Sequence, residues 1–226
     1  MAATAPLILG HLGNTLEAFA RCRSAGVDGV ELDVRRAGEG TLAVHHDAAI
    51  DGVGRIVDLT GAELPEHVPT LAQVLRECAG LTVNVEIKNL PVDPDYDPTE
   101  EIVGLVLAAI DADGSAGNVI VSSFSLATID AVHAVAPSMR TAFLTLPAWD
   151  QARALNAAAD RGHTALHPHR RSLDADLVRA VHAAGMTIHP WGVDDPASAV
   201  AAAELGVDMI ITDDPVAVVG ALRPDA

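Results

Sequence analysis

VDGVELDVRRAGEGTLAVHHD, Val27 to Asp47, is the stretch from which the rest of this chain is read. In Gly29-Val30-Glu31-Leu32-Asp33-Val34 apolar residues alternate with two carboxylates. A period of two is that of a β-strand, on which Glu31 and Asp33 share one face and Leu32 and Val34 the other. Neighbouring acids repel unless a proton or a cation compensates them, and hard oxygen ligands at i and i+2 suit a divalent cation such as Mg²⁺ or Ca²⁺. The plainer reading is an edge strand with solvated acids on its outer face. The next residues favour the cation: after the Gly-rich break at 37–40, a second short strand, Thr41 to Val44, ends in His45-His46-Asp47.

Outward from this stretch, strand and helix signals alternate. Leu7 to Gly10 is an apolar run ending at His11, and Asn14-Thr15 opens a helix that Gly26 stops. Beyond the polar excursion at 48–68, Thr70-Leu71-Ala72-Gln73 has the form of a capping box, and Leu81 to Lys88 is the third barrel-type strand. Asp97-Pro98 carries the start signals of a helix reaching about Ile110. Strands are then expected over Val119 to Ser122, Arg140 to Leu146, Thr164 to His167, Met186 to Val193 and Met209 to Thr212. Helices are expected over Leu126 to Val135, Ala148 to Ala159 and Asp174 to Ala184, and after Asp195-Pro196 and Asp214-Pro215. Eight strands each followed by a helix predict an α/β fold, the (β/α)₈ barrel, with a short extra strand inserted after strand two. An open doubly wound sheet is the competitor, but no Gly-rich phosphate fingerprint follows the first strand. Gly206-Val-Asp-Met-Ile-Ile-Thr-Asp213 echoes Gly26-Val-Asp-Gly-Val-Glu-Leu-Asp33, again a helix stop running into a strand.

Length and charge narrow the possibilities. A chain of 226 residues suits one domain spanning 1–226. With 14 Lys plus Arg against 31 Asp plus Glu, the formal charge of −17 repels nucleic acid and anionic membrane surfaces, so a small diffusible substrate is expected, with no stable membrane association. Oligomeric state is not legible. Met1 to Pro6 shows neither a basic segment nor an apolar one of the kind that targets export, which points to the cytoplasm. Cys22 and Cys78 lack metal-type spacing and read as buried free thiols.

In such a barrel the site forms at the C-terminal ends of the strands. The polar residues expected there are His11, Glu31, Asp33, His45, His46, Glu86, Lys88, Ser122, Ser123, His167, His169, His189, Trp191 and Asp213. In Val83 to Lys88 the alternation puts Asn84, Glu86 and Lys88 on one face. Glu31, Asp33 and Glu86 could then close around one hard cation, with Lys88 beside them for an anion. A plain Glu86 to Lys88 ion pair is the alternative.

The ordered set Gly10-His11, NTLEAF (14–19), GVDGVELDV (26–34), VHHD (44–47), EIK (86–88), SSFS (122–125), WGVDD (191–195) and GVDMIITDDP (206–215) resembles the glycerophosphodiester phosphodiesterases. The resemblance covers nearly the whole chain. It implies that Glu31, Asp33 and Glu86 hold one divalent cation, Mg²⁺ or Ca²⁺, and that His11 and His46 are the acid-base pair. It also implies that Lys88 contacts phosphate and Trp191 lines the substrate cleft. Choosing His46 over His45 rests on the resemblance. Two departures stand out: where the family has H-R-G and then a longer run to P-E-N-T, this chain has His11-Leu12-Gly13-Asn14-Thr15. The arginine is gone and the loop is short, which is similar to the sphingomyelinase D branch of the same superfamily.

The resemblance implies metal-dependent hydrolysis of a phosphodiester, a glycerophosphodiester giving glycerol 3-phosphate and an alcohol, by two-histidine acid-base catalysis. Three alternatives stand beside it: a non-catalytic phosphate-ester-binding barrel, a sphingomyelinase D-like or lysophospholipase D activity, and a Lys88 Schiff-base lyase. The shortened loop also suggests that the N-terminus of the first helix takes over part of the lost arginine's role.

Overall fold

Side-chain caps set most of the helix starts in the computed structural model, which describes residues 5–224. Thr15, Thr70, Ser125, Asp150, Asp174, Asp195 and Asp214 each accept a backbone N–H from the first turn, and Thr70 with Gln73 completes the expected capping box. In chain order the elements are β1 (Leu7–Gly10), α1 (Leu16–Ser24), β2 (Gly29–Arg36), β3 (Leu42–Val44), β4 (Ala49–Ile50), β5 (Gly54–Arg55), α2 (Leu71–Glu77), β6 (Thr82–Ile87) and α3 (Glu101–Asp113). They continue with β7 (Val119–Ser123), α4 (Leu126–Val135), β8 (Arg140–Thr145), α5 (Gln151–Ala159), β9 (Ala165–Pro168), α6 (Ala175–Ala183), β10 (Thr187–Ile188), α7 (Pro196–Leu205), β11 (Met209–Thr212) and α8 (Pro215–Leu222).

The sheet runs β10-β9-β8-β7-β6-β2-β1-β11 with parallel pairings throughout, and β3 adds antiparallel to the end of β2. This is the nearly closed eight-stranded barrel with eight helices that the alternation predicts. The extra strand after strand two is present as β3, and the excursion at 48–68 carries the small β4-β5 hairpin. Close approach sets the β2-β6 register: a Cβ on Gly29 would lie 2.4 Å from the Thr82 carbonyl oxygen, so only glycine fits there.

Three boundaries differ from expectation. Met186 to Val193 is regular strand only at Thr187–Ile188, because Pro190 has no N–H for the ladder. The barrel seam is closed instead by single contacts, with Asp208 N donating to Ile188 O, Ile211 N donating to Pro190 O, and Trp191 bridging to Ile211. The helix expected from Asp97 begins at Glu101, since both Asn89 amide atoms bond the Asp97 backbone and the Asp97 carboxylate closes a turn with Thr99 and Glu101. α5 starts at Gln151 rather than Ala148, where Asp150 supplies its cap.

Outward-facing strand residues such as Val30, Leu32, Val34, Val83 and Leu166 pack against the helices in the main core. Inside the barrel a smaller cluster of Leu9, Ile120, Ala142, Ala165, Met209 and Ile211 fills the floor. Cys22 and Cys78 are buried free thiols, as expected. Among the described residues no helix is long and apolar enough to cross a membrane.

The inward face of β9 and its neighbour bury His167 and His189, joined by a 2.8 Å Nε2···Nδ1 hydrogen bond that needs one ring to donate and the other to accept. Burial pushes His189 down to about 4 and His167 well below its ordinary value. Both rings are therefore neutral in the fold but take up protons below about pH 6.5 when unfolded. That stability is present above pH 6.5 and is lost as pH falls toward the folded-state values, at about 1.4 kcal/mol per pH unit per ring. Urea denaturation at pH 6 and pH 5 is expected to show a loss that the H167L/H189L variant reduces by about 2 to 3 kcal/mol. An unchanged pH slope in that variant would place the titration elsewhere.

Candidate active site

β2 is central, not an edge. It lies between β1 and β6, and Glu31 and Asp33 are only 5% and 1% exposed, which removes the reading of solvated acids. With Val30, Leu32 and Val34 committed to the helix layer, the alternation turns both carboxylates into the barrel mouth. Parallel pairing sets Glu86 of β6 beside Asp33, and Lys88 follows one strand period later. The mouth is a cavity of about 540 Å³, and His11, Glu31, Asp33, His46, Glu86, Lys88 and Trp191 all line it. Every residue singled out by the resemblance therefore faces one space.

His11, one residue past β1, places Nε2 3.3 Å from Glu31 Oε2 and 3.4 Å from Asp33 Oδ2, and its Nδ1 lies 3.0 Å from Asp213 Oδ1. Lys88 Nζ bridges the other side, 2.9 Å from Asp33 Oδ1 and 2.5 Å from Glu86 Oε1, a close ion pair poorly aimed as a hydrogen bond. Asn14 donates to Asp33 Oδ2 at 2.9 Å and accepts the Asp33 backbone N–H at 3.1 Å. His46 rests its Nδ1 on Asp47 Oδ1 at 2.7 Å, which leaves Nε2 available to the cavity.

The electrostatics follow from burial. The Glu31 carboxylate, and then Asp33 and Asp213, hold His11 far above an ordinary imidazole against the opposing effect of burial. Burial raises Glu31 and Glu86 well above the usual carboxylate range, with neighbouring acids adding to both shifts. Asp33 goes the other way: burial would raise it, but His11, Lys88 and Asn14 together pull it below the ordinary range. Three buried carboxylates thus share two cationic side chains, and the two glutamates carry the shortfall.

That shortfall is the test of whether a divalent cation fits. Donor atoms of His11, Glu31 and Asp33 lie within 4.8 Å of one another, and this His/Glu/Asp set is compatible with a divalent metal. Glu86 stands outside that tight set, one strand over, with Lys88 bridging it to Asp33. The Glu86–Lys88 ion pair, given above as the alternative, is present, but together with the acid cluster rather than in place of it. Burial favours a neutral Lys88 amine, yet Glu86 and Asp33 hold it protonated above its ordinary range. A Schiff-base lysine is activated by the opposite shift, so the ion pairs of Lys88 with Asp33 and Glu86 do not favour the lyase reading.

Other candidates fall away from the site. His45 bonds the Asp47 carbonyl and lines a neighbouring depression, not the main cavity. Ser123 donates to the Ile87 carbonyl, Ser122 accepts from Asn84, and His167 and His189 lie buried within the barrel. The α1 start does not take the anion-binding role expected of it: Thr15 caps the helix, Asn14 serves Asp33, and Leu12 packs on the core. Gly13, Asn14 and Thr15 line the neighbouring depression, so the helix end does not face the main cavity.

Sequence reasoning missed Asn14's role, Phe124, Arg170, Arg171 and Arg35. Phe124 and the two arginines line the mouth from the far loops. Arg35, 5% exposed at the end of β2, donates from Nε to the His46 carbonyl at 2.7 Å and from Nη1 to both Asp95 oxygens at 2.8 and 3.0 Å. It ties the His46 loop to the Asp-rich loop of residues 91–97. No local pattern announces these contacts, because their partners lie 11 to 60 residues away.

Comparison with known proteins gives concordant results. The model of the glycerophosphoryl diester phosphodiesterase family matches residues 9–217. A glycerophosphodiester phosphodiesterase from Caldanaerobacter subterraneus subsp. tengcongensis is 30% identical, over 96% of this chain and 98% of the relative. The crystal structure of a Thermotoga maritima glycerophosphodiester phosphodiesterase aligns with a TM-score of 0.79 at 26% identity, covering 94% of this chain and 96% of that one. An Oleispira antarctica phosphodiesterase, solved in complex with the product sn-glycerol-3-phosphate, shares the fold at a TM-score of 0.83 and 21% identity, covering 96% of each chain.

The Arg35 contacts generate a stability test. Arg35→Met leaves Asp95 buried and unpaired and is expected to cost about 3 to 5 kcal/mol in thermal or urea denaturation. Pairing it with Asp95→Leu should recover a large part of that loss, and strictly additive losses would show that the two side chains act independently.

Proposed function

This chain belongs to the glycerophosphoryl diester phosphodiesterase family, whose members are phosphoric diester hydrolases, and from that premise we propose that it hydrolyses a small glycerophosphodiester to glycerol 3-phosphate and an alcohol. The carrying observation is the convergence of two histidines, three carboxylates and one lysine on a single cavity. The Oleispira phosphodiesterase holds sn-glycerol-3-phosphate, and the same product is proposed here.

Glu31, Asp33 and Glu86 would hold one Mg²⁺ or Ca²⁺, with His11 adjoining the set. When bound, such a cation neutralises charge on the non-bridging phosphate oxygens. Lys88, kept charged by Asp33 and Glu86, is placed to share that work as a point charge on phosphate. His11 and His46 each rest Nδ1 on a carboxylate, from Asp213 and Asp47, so each ring exchanges protons at Nε2. One ring takes the proton of the attacking hydroxyl as the new P–O bond forms, and the other protonates the alcohol oxygen as the old P–O bond breaks. Trp191 forms an apolar wall for the substrate, with its indole N–H donating to the Thr145 carbonyl at 3.3 Å. Two buried, unpaired thiols fit a reducing compartment, and a cytoplasmic location is part of this proposal.

Metal removal is the first test. EDTA should abolish turnover of a glycerophosphodiester panel, and Mg²⁺ or Ca²⁺ should restore it; turnover that persists in EDTA would remove the cation from the proposal. Calorimetry of Glu31→Ala is expected to show cation binding lost with the fold intact, and undiminished binding would move the site elsewhere.

The histidines are tested separately. His46→Ala should lower kcat by about 10² to 10⁴-fold, the range for losing a positioned acid or base. His45→Ala should change it far less, and the reverse ranking would move the role from His46 to His45.

A further inference from the structure

Arg170 and Arg171 form a cationic wall that the proposed acid-base and phosphate contacts leave unused. Both line the cavity, both are exposed, and among the described residues neither has an ion-pair partner or a side-chain hydrogen bond. In a chain with 31 acids and 14 basic side chains, two adjacent unpaired arginines at the mouth call for an account.

Their backbone is held firmly. The single turn Arg170–Ser172 follows β9; Arg170 N donates to the Trp191 carbonyl at 2.9 Å, and Arg171 N donates to His169 Nδ1 at 3.0 Å. The His169 ring packs edge-on against Trp191, with centroids 4.5 Å apart, beneath Gly192. Gly192 has φ of 72°, and a Cβ there would come within 3.2 Å of His169 Nε2, so glycine leaves the room this ring needs. His169 is a positioning residue that fixes the arginine turn to the Trp191 wall.

Topology sets the distance between the two charged walls. Around the barrel β9 is the fourth strand from β2 in either direction, through β6, β7 and β8 or through β1, β11 and β10. The arginines therefore face Glu31, Asp33 and Lys88 across the full mouth, with Leu146, Phe124 and Trp191 between. Acids on the same rim are already engaged: Asp213 with His11, Asp194 with the Asp213 backbone N–H, and Asp195 with the first turn of α7.

We propose that Arg170 and Arg171 form a second anion subsite that binds a negatively charged group on the alcohol half of the substrate. The proposal rests on the phosphodiesterase reading, in which the phosphodiester lies against Lys88 and the acids. It names the substrate class: glycerophosphodiesters whose alcohol ends in a carboxylate or a second phosphate. Guanidinium groups pair with both in two-point geometry, and the surrounding negative field makes the two arginines the natural contact for such a group.

Three synthetic glycerophosphodiesters with the same linker, ending in a carboxylate, a carboxamide or a trimethylammonium group, test it. Wild type should prefer the carboxylate over the carboxamide by about tenfold in kcat/KM, the low end for charge-assisted hydrogen bonds at an exposed site. In R170Q/R171Q that ratio should fall toward one, and R170K/R171K should restore it only in part. Equal rates on the carboxylate and carboxamide in wild type, preference for the trimethylammonium ester, or an unchanged ratio in R170Q/R171Q would overturn the subsite. If wild type turns over none of the three, the phosphodiesterase reading fails separately. Calorimetry with the carboxylate and carboxamide esters then decides the subsite: tighter carboxylate binding lost in R170Q/R171Q supports it, and equal binding overturns it.

Discussion

Burying Glu31, Asp33 and Glu86 together is the constraint on which the mouth of this barrel depends. Each carboxylate gives up most of its water, and charges brought that close repel in a medium that screens them poorly. His11 and Lys88 are the local answer: the imidazole touches Glu31 and Asp33, and the ammonium touches Asp33 and Glu86. Asp33 receives contacts from both and stays ionised, whereas Glu31 and Glu86 are left with raised proton affinities. A set of hard oxygen ligands short of positive charge is what a divalent cation satisfies, so the need for compensation and the proposed chemistry share one origin.

The scaffold serves this cluster at several removes. Asn14 holds Asp33 at its side chain and its backbone, while its neighbour Thr15 caps α1. Arg35 supports the loop that carries His46 through a carbonyl contact, while Asp95 neutralises it in turn. Across the mouth the balance changes. The wall built from the β9 and β10 loops carries Trp191, His169 and the arginine pair. Among the described residues the two guanidinium groups are free, while the acid Asp194 beside them is engaged. The cavity therefore runs from buried acids and one ammonium at one end to unpaired arginines at the other. A molecule bound along this axis meets a different chemistry at each end.

Periodicity and punctuation made most of the architecture legible. Strands such as Val27 to Val34 announced both their path and their inward face, because a period of two on a central strand leaves one face for helices and one for the mouth. Failures came where a local signal met a stronger distant partner. Asp97-Pro98 has the form of a helix start, but Asn89 holds the Asp97 backbone in a turn and defers α3 to Glu101. Met186 to Val193 has the composition of a strand, but Pro190 interrupts its ladder at the seam.

By itself the sequence determined the alternating α/β order, the inward set Glu31, Asp33, Glu86 and Lys88, and the resemblance that singled out His11, His46 and Trp191. These are matters of local alternation and of motif order along the chain. Only the tertiary structure decided which charges meet. That Lys88 bridges Asp33 and Glu86, that Asn14 serves Asp33, that His45 faces away while His46 faces in, and that Arg170 and Arg171 stand opposite the acids all depend on how strands far apart in sequence are arranged around the barrel. A sequence period assigns a side chain to a face, but ion pairs form over a few ångströms, and only the closed sheet sets distances on that scale.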